Sequence, residues 1–315
     1  MIVNGQTHLS SRLKKSLQHS IRGLERQDIT VETHITESPK DAEEFAEEAC
    51  IKSHAAVFAV GGDGTLHQVI NGIMKHSRKS RPEIAVGIIP AGTANDFAGC
   101  LGIRSRDACE TLLKLSPEHT RWLDLGKVQS RYFINVASGG FGADATRNLA
   151  PWLKSVYGTE LYLINGACQM LTSAPRQACF QSDDWQWEGR FLTFAIGNSK
   201  QAGGGCVLCP EAQLDDGELD LFIIPAHVEI QKLLSSWVNG PISVVRKLLS
   251  LKNPLRHGVI GYLLEYHKKL IVRKRVSSLN INLKRPLTLN LDGEPTEPRK
   301  KFRVTTLHQQ IKFLV

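Results

Sequence analysis

The stretch Ala-Ala-Val-Phe-Ala-Val-Gly-Gly-Asp-Gly-Thr at positions 55–65 decides the fold of the N-terminal part of the chain. Its first six residues are all apolar, which is typical of a strand buried on both faces of a parallel sheet. Its glycines can adopt backbone conformations closed to other residues and can approach a ligand closely. The stretch therefore predicts a strand, a glycine loop and a helix in succession. The helix is indicated by apolar residues that recur on one face, at Leu66, Val69, Ile70, Ile73 and Met74.

The same order of elements recurs along residues 1–126. The apolar run at 84–90 predicts a second buried strand, and residues 29–36 alternate in polarity as a strand does. Ser38 followed by Pro39 predicts the start of a helix, with a capping serine and a proline in the first turn. Because strands alternate with helices, we predict an α/β domain with a parallel sheet over residues 1–126.

Short strand-like runs, separated by glycine, proline and aspartate, dominate the chain from about Trp122 onward. Such spacing predicts mainly antiparallel β-structure, either a sandwich or a barrel. We therefore predict a second, β-rich domain over residues 127–315, whose last residues are free to return to the first domain. The runs lie at 131–138, 191–198, 218–225, 279–283, 287–293 and 302–307, and helical segments interrupt them around 152–172 and 228–250.

The glycine loop that contains Thr65 is a candidate anion site. Thr65 with Gln68 forms the pattern of a capping box, which predicts that the helix begins at the loop with free N–H groups facing outward. A helix N-terminus beside a glycine loop at the carboxyl end of a parallel strand is suited to bind phosphate. Residues 91–97 repeat the device, with Thr93 and Asp96 as a second cap pattern, and two such loops after neighbouring strands converge on one ligand. The alternative is a tight turn that binds nothing.

Composition and charge restrict the class of protein. The 315 residues (34.9 kDa) suffice for two domains. No apolar run reaches the ~18 residues of a membrane-spanning helix, and the N-terminus lacks the apolar core of a secretory signal. Seven cysteines without scaffold spacing indicate reduced thiols, so we expect a cytoplasmic protein. A net charge of +8 favours anionic partners, but no recognised module accompanies it, so nucleic acid is not expected.

The two loops and several later segments together resemble the diacylglycerol-kinase-like lipid kinases, specifically the bacterial YegS-type group. The GGDGT loop alone is shared with NAD kinases and phosphofructokinases, so the combination carries the resemblance. It implies an N-terminal α/β domain, a C-terminal β-sandwich domain with ATP in the cleft between the two, and Mg²⁺-dependent transfer of the γ-phosphate to a lipid hydroxyl. The matching stretches are GGDGTLHQVINGI (61–73), GIIPAGTANDFA (87–98), FINVASGGFGAD (133–144), GNSKQAGGGCVLCPEAQLDDGELDL (197–221) and LTLNLDGEP (287–295).

The resemblance also implies roles for individual residues. Glu294 is implied as the base that accepts the proton of the lipid hydroxyl, and Asp292 as a residue that orients the site or contacts a metal. Asp63 is implied near the metal–phosphate cluster. An aspartate–glycine pair is also a hairpin signal, so a turn without chemistry is the alternative at Asp292. Nucleotide contacts are implied for Thr36, Gly62, Asp63, Gly64, Thr65, Leu66, His67, Gln68 and Thr93, with Asn4 and Gly5 on the same rim.

A second acidic loop matches one that holds Mg²⁺ in the same family. The resemblance implies the carboxylate of Asp216 and the backbone carbonyls of Gln213 and Glu218 as ligands, and oxygen ligands are what a hard cation requires. Such a site would order the loop rather than take part in the chemistry. The alternative is a solvated turn.

Residues 246–275 mix nine basic residues with many apolar ones and a single acid, Glu265. This pattern favours an anionic membrane surface, so we expect a peripheral protein with a lipid substrate; the alternative is a helical hairpin with a solvated basic face. The oligomeric state is left open, with a homodimer among the alternatives. Two other functions compete with a lipid kinase. One is an NAD kinase-like or other small-molecule kinase, and the other is a catalytically silent nucleotide- or lipid-binding protein.

Overall fold

The chain forms two compact units in a computed structural model. The first unit takes its described residues from 1–125, 214–216 and 307–315, and the second takes them from 126–213 and 217–306. The helical segments predicted around 152–172 and 228–250 lie outside the described residues. The structure describes residues 1–7, 9–77, 81–103, 119–140, 174–202, 204–227 and 270–315.

Strands and helices alternate along the first unit, as the sequence predicted. The strands are β1 (Ile2–Asn4), β2 (His34–Thr36), β3 (Ala56–Gly61) and β4 (Ala85–Pro90), and β5 (Thr120–Val128) begins in this unit. The helices are α1 (Ser11–Glu25), α2 (Pro39–Ile51), α3 (Asp63–His76) and α4 (Asp96–Cys100).

The strands of the first unit form a parallel sheet in the order β2-β1-β3-β4-β17, to which β17 (Arg299–Leu314) contributes its last residues. The strands β3 and β4 run side by side until Gly61 lies opposite Pro90, so their carboxyl ends reach the same edge. On the far side of β4, Phe313 of β17 pairs with Val86 and packs edge-on against Phe97 at 5.1 Å between ring centroids. The predicted parallel α/β sheet is confirmed.

Helix α2 begins where the sequence predicted. Ser38 is its N-cap and Pro39 its first residue. The carboxylate of Asp41 accepts hydrogen bonds from the backbone N–H groups of Glu37 and Ser38 and from the Ser38 hydroxyl. These bonds, the one from the Ser38 hydroxyl foremost, lower the pKa of the Asp41 carboxyl below its usual value.

The strand predicted over residues 29–36 is wrong in its first half, because only His34–Thr36 is a strand. Its partner β1 is the reason. The register places Ile2 opposite His34 and Asn4 opposite Thr36, so the residues before His34 extend past the start of β1. Alternating polarity is therefore not sufficient for a strand where the neighbouring strand offers no partner.

The second unit is built of antiparallel strands, which confirms the predicted β-rich C-terminal part. The order is β16-β15-β7-β9-β8-β14-β17, and β12 pairs with both β9 and β13. The strands are β6 (Arg131–Phe133), β7 (Val136–Gly140), β8 (Arg176–Gln181), β9 (Gln186–Gly197), β10 (Gln201–Ala202), β11 (Cys206–Val207), β12 (Leu219–Pro225), β13 (Val272–Val276), β14 (Ser278–Leu287), β15 (Leu289–Leu291) and β16 (Glu294–Pro295).

Aromatic rings fill the centre of the second unit. Phe180, Phe191 and Phe194 are fully buried and meet edge to face, with ring centroids 4.9 to 5.8 Å apart. Burying each ring contributes about 1.5–3 kcal/mol through the apolar area removed from water. This core fixes strands β8 and β9. Strand β9 in turn pairs with β7, and β7 pairs with β15, which ends at Leu291 directly before Asp292.

Candidate functional site

The two glycine loops of the first unit meet backbone to backbone, as expected from loops that follow neighbouring strands. A Cβ atom on Gly92 would lie 2.4 Å from the Cα atom of Gly62, a distance that Cβ atoms do not adopt. The N–H of Ala91 also donates to the carbonyl of Gly61 at 2.8 Å. Only glycine fits at this contact, so the pair of loops exposes backbone rather than side chains beside the start of α3.

Both predicted caps in these loops are wrong. Helix α3 starts at Asp63 with Gly62 as its N-cap, so Thr65 lies within the first turn rather than before it. Helix α4 starts at Asp96, and its N-cap is Asn95 in the left-handed region at φ +51°. The N-cap of α3 is a glycine, and the first N–H groups of α4 are bound by the carboxylate of Asp63, which lies in the other loop. A local sequence pattern reveals neither of these arrangements.

Asp63 ties the two loops together. Its Oδ2 accepts a hydrogen bond from the backbone N–H of Asp96, and its Oδ1 accepts one from Phe97, both at 3.0 Å. The carboxylate thereby takes the place of the missing side-chain cap on α4 and also meets the positive end of that helix. A carboxylate has about four acceptor positions, and these two bonds occupy two of them.

Asn95 fixes the second loop from within. Its side-chain oxygen accepts the N–H of Gly92 at 2.9 Å, and its side-chain nitrogen donates to the Gly92 carbonyl at 2.7 Å. Thr93, between these residues, is exposed. The hydroxyl of Thr93 is therefore presented to solvent at the tip of a braced turn.

The rim of the first loop is formed by residues from three different elements. The side-chain nitrogen of Asn4 donates to the Thr65 hydroxyl at 3.2 Å. The N–H of Gly5 donates to the carbonyl and the hydroxyl of Thr36 at 3.2 and 3.3 Å, and a Cβ on Gly5 would lie 2.2 Å from that carbonyl oxygen. The structure thus brings together the residues from β1, β2 and α3 that the resemblance implied.

Not every implied nucleotide contact presents a side chain. Leu66 and His67 are both buried, and the side chain of Asn71 contacts the ring and the carbonyl of His67. A ligand at the loop can therefore meet only the backbone of these two residues. Gly62, Gly64 and Gln68 are partly exposed at the start of the helix.

In the second unit, Asp292 and Gly293 form a two-residue turn between β15 and β16. Both residues have positive φ, +53° and +104°, and the strands pair from Leu291 to Glu294. This is the backbone of a tight hairpin turn, for which the aspartate–glycine pair is a preferred sequence. The hairpin alternative considered for this motif is thus correct about the backbone, and the side chains decide whether the turn has a further use.

The carboxylate of Asp292 binds the start of β7. Its Oδ1 accepts the N–H groups of Asn135 and Val136 at 2.8 and 3.1 Å, and its Oδ2 accepts that of Ile134 at 2.9 Å. The Asp292 N–H also donates to the carbonyl of Val136 at 3.1 Å. Hydrogen bonds to a charged acceptor are stronger than neutral ones, so Asp292 holds the turn against β7.

Glu294 differs from Asp292 in the hydrogen bonds of its carboxylate. Its side chain is half-buried, and within the described residues the structure gives its carboxylate no hydrogen-bond or ion-pair partner. It stands two residues after the clamped Asp292, on the strand that the turn creates. A positioned carboxylate without a partner is available to accept a proton.

The sequence reasoning missed a buried polar network behind the turn. Asn135 accepts the Ser199 hydroxyl at 2.7 Å with its side-chain oxygen, and its backbone carbonyl accepts the N–H groups of Asn198 and Ser199. The side-chain nitrogen of Asn198 donates to the carbonyl of Ile134 at 2.8 Å. The signal that could have identified it was polar residues in otherwise apolar runs: Asn135 inside FINVAS, and Asn198 and Ser199 at the end of AIGNS.

The acidic loop implied as a Mg²⁺ site is held by arginines. Asp215 accepts two hydrogen bonds from Arg121 at 2.7 and 3.0 Å, and the carboxylate of Glu218 pairs with Arg275 at 2.9 Å. Asp216 is half-buried, and the exposed Gln213 precedes it. Among the described residues, histidine, cysteine and acidic side chains nowhere gather in threes around a metal position. A cation here would thus depend on backbone carbonyls beside the Asp216 carboxylate.

The basic stretch predicted as a membrane surface is described only from residue 270 onward. In that part each cation of β13 faces a carboxylate: Arg273 lies 3.5 Å from Glu211, and Lys274 lies 2.7 Å from Asp184. Arg275 pairs with Glu218, as above. These ion pairs reduce the charge that β13 presents, and residues 246–269 lie outside the described part of the chain.

Comparison with known proteins agrees with the motifs. Residues 1–128 match the family model of the diacylglycerol kinase catalytic domain, and residues 135–241 match the YegS C-terminal NAD kinase beta sandwich-like domain. A Pseudomonas aeruginosa protein named "Probable lipid kinase YegS-like" is 38% identical over 84% of this chain and 78% of its own length. A protein of the same name from Xanthomonas oryzae is 33% identical over 99% and 94%.

Solved structures share the fold. The crystal structure of a diacylglycerol kinase from Bacillus anthracis strain Sterne superposes with a TM-score of 0.67 at 19% identity, over 99% of this chain and 94% of that one. A second chain from the same organism gives a TM-score of 0.73 at 21% identity, over 99% and 93%. Across the described residues, helices of the length and apolarity needed to cross a bilayer do not occur.

Proposed function

Because the chain belongs to the YegS-type lipid kinases of the diacylglycerol kinase-like family, we propose that it transfers the γ-phosphate of ATP to a hydroxyl group of a membrane lipid, with Mg²⁺ as cofactor. Diacylglycerol, phosphatidylglycerol and similar lipids are the proposed acceptors. The observation that carries the proposal is the backbone contact between Gly62 and Gly92 at the start of α3. Such a contact supports a site for the phosphates of a nucleotide, because helix N-termini and glycine backbone bind anions.

The residues present fit Mg²⁺ and ATP in their donor chemistry. Backbone N–H groups at the start of α3 and the exposed hydroxyl of Thr93 are suited to phosphate oxygens. The carboxylate of Asp216, with the carbonyls of Gln213 and Glu218, offers oxygen ligands of the kind that Mg²⁺ prefers. When bound, ATP supplies the phosphoryl group, and Mg²⁺ neutralises the negative charge on it.

In the proposed reaction the chain itself handles the proton of the acceptor. Glu294 accepts the proton of the lipid hydroxyl, since its carboxylate is the one in the turn without a partner among the described residues. Asp292 acts through the backbone: it holds the turn against β7 and so fixes the position of Glu294. Asp63 keeps the two glycine loops in contact at the nucleotide site.

The test is incubation of the purified protein with radiolabelled ATP, Mg²⁺ and a total lipid extract, followed by identification of the labelled species. We expect a labelled lipid with the wild type and almost none with Glu294→Gln. Label in NAD or in a sugar phosphate, with none in lipid, would instead favour a small-molecule kinase. Binding of ATP without any turnover on lipid would favour a catalytically silent protein.

We also propose that the protein works as a peripheral cytoplasmic enzyme at an anionic membrane surface. The net charge of +8 supports this, because cations near acidic lipid contribute about 1 kcal/mol each to binding. Raising the salt concentration should release the protein from acidic vesicles, since screening shortens the reach of charges to about 10 Å at 0.1 M. Vesicle binding that ignores both salt and lipid charge would contradict this.

A further inference from the structure

Strands β14 and β17 carry a dense group of cations where their pairing changes register. Asn282 lies opposite Lys301, whereas the next pair joins Leu287 to Arg299, so β14 has three residues more than β17 between the two positions. All the basic residues around this change of register are exposed. We call them the basic patch: Lys284 and Arg285 of β14, with Arg299, Lys300, Lys301 and Arg303 of β17.

The two strands that carry the basic patch, β14 and β17, contain no acidic residue. Residues 278–291 and 299–315 contain neither aspartate nor glutamate. None of the six cations makes an ion pair within the described part of the chain. Along the row of the sheet that starts at Lys301, the first acid is Glu188 of β9, three strand spacings or about 14 Å away.

This arrangement is the opposite of the one on β13. There Arg273, Lys274 and Arg275 each face a carboxylate at 2.7 to 3.5 Å. Two regions of the same unit with similar basic composition therefore present different charge to solvent. Of the two, the basic patch is the one that keeps its full charge for a partner.

Amide side chains accompany the two cations at the end of the basic patch. Asn280 pairs with Arg303 across the ladder, and Asn282 pairs with Lys301. They line a depression of about 310 Å³ together with Gln181 of β8 and Gln129 of the turn after β5. Cations flanked by amide donors suit the oxygens of a phosphodiester.

We propose that the basic patch is the surface by which the protein docks on a membrane that contains acidic phospholipids, a proposal that rests on the proposed function. The occupant is the layer of phosphodiester headgroups, which is complementary in charge and displays many acceptors at once. Exposed large apolar side chains in the described residues are Ile35, Ile51 and Val315, none of them aromatic. The aromatic rings on which single-stranded nucleic acid stacks are thus absent from the exposed large apolar side chains of the described residues.

The basic patch is also linked to the catalytic turn through the chain. Strand β14 leads directly into β15, which ends at the turn of Asp292 and Glu294. From Asn282 to Asp292 this is about ten extended residues, a span of at most about 33 Å. Docking at the basic patch therefore restrains the turn relative to the lipid surface, which is what an enzyme with a membrane-embedded acceptor requires.

The test measures binding of the full chain, without ATP, to vesicles of phosphatidylcholine alone and of phosphatidylcholine mixed with phosphatidylserine. The variant is Lys301→Gln with Arg303→Gln. At about 1 kcal/mol per cation, loss of two cations weakens binding to the acidic vesicles about 30-fold. The matched control is Lys274→Gln with Arg275→Gln, which removes the same charge from cations already paired, and we expect its binding to stay near that of the wild type.

Several outcomes would overturn the proposal. They are unchanged binding of the Lys301/Arg303 variant, an equal loss in both double variants, and wild-type binding that does not depend on phosphatidylserine. Binding to a short oligonucleotide that requires the same cations, with no binding to vesicles, would assign the basic patch to nucleic acid instead. Melting curves of both double variants verify that the exposed substitutions leave the fold intact.

Activity in uncharged detergent micelles separates this proposal from the proposed function. There the Lys301/Arg303 variant is expected to phosphorylate dispersed lipid as fast as the wild type, because no charged surface is needed. Should the wild type phosphorylate no lipid in micelles while vesicle binding still depends on Lys301 and Arg303, the proposed function fails and the docking surface stands. Normal micelle activity with vesicle binding indifferent to these residues would overturn the docking surface and leave the proposed function standing.

Discussion

The loop after β3 and the turn after β15 each contain an aspartate–glycine pair, and the two regions use their carboxylates differently. Asp63 and Asp292 both accept backbone N–H groups from a second segment, two in the first case and three in the other. Glu294, in contrast, has no such partner within the described residues. Acidic residues of these motifs therefore divide into those that hold the backbone and one that is available for chemistry.

The largest effect expected from this difference is on Glu294. Glu294→Gln keeps the size of the side chain but removes its ability to accept a proton. We expect kcat on the true lipid to fall by roughly 10²- to 10⁴-fold, the usual contribution of a positioned base, with little change in ATP affinity. Steady-state kinetics measure this, and thermal melting should match the wild type. If Glu294→Gln keeps its full kcat, another residue is the base, and the contrast between Glu294 and the anchoring aspartates no longer holds.

Asp292→Asn is the matched change in the anchored residue. Its side chain would offer one oxygen where two now accept three N–H groups, and its NH₂ group would face a donor. We expect the free energy of unfolding to fall by about 2–3 kcal/mol, because hydrogen bonds to charged groups contribute about 1.5–3 kcal/mol each. Urea denaturation measures the loss, with Glu294→Gln as the control that should shift by less than about 0.5 kcal/mol. Equal free energies of unfolding for Asp292→Asn and Glu294→Gln would show that the hydrogen bonds between Asp292 and β7 do not stabilise the fold.

Asp63→Asn should give a smaller loss of stability. It weakens two bonds at the first turn of α4, and losing a helix cap typically costs about 1–2 kcal/mol. The control is Asp28→Asn, the same exchange at an exposed position whose side chain makes no hydrogen bond or ion pair to the described residues, and where Asn suits the positive φ of 58°. Urea denaturation of both variants decides. If Asp63→Asn is as stable as Asp28→Asn, the two loops meet without the help of this carboxylate.

Asp41 is a third carboxylate that accepts backbone N–H groups, and its contribution to stability can be tested by varying the pH. Its pKa is lowered in the folded state, chiefly by the Ser38 hydroxyl. A carboxyl whose pKa falls on folding adds stability above its unfolded value near 3.9, and this stability is lost as the pH drops through the folded value. The difference in unfolding free energy between the wild type and Asp41→Asn should therefore shrink in strong acid. A difference that stays constant across the acid range would contradict the assignment.

The sequence was sufficient where a local pattern determines the structure. Six apolar residues before the glycine loop predicted β3, and Ser38 with Pro39 predicted the start of α2. The antiparallel strands of the second unit also followed from short apolar runs between turn residues. Each of these features depends on neighbours in the chain, which one sequence shows directly.

Features that depend on distant residues were not predictable in the same way. The cap of α4 comes from Asp63, and the strand over 29–36 is cut short by the length of β1. The network of Asn135 and Ser199 joins two strands far apart in the chain. In the candidate site, the sequence indicated which residues carry carboxylates, but only the tertiary contacts distinguish the anchored Asp292 from Glu294.

The last residues of the chain have a consequence for how the protein is made. The first sheet is completed by Phe313 against β4, although nearly the whole second unit is synthesised between those two strands. During synthesis, the edge of β4 that pairs with β17 stays unpaired until β17 has been made. Contacts between residues this far apart in sequence also form slowly. Unpaired strand edges recruit other chains, so nascent molecules are exposed to aggregation until β17 has been synthesised. The catalytic domain defined by homology over residues 1–128 is thus not, by itself, a unit that completes its own folding.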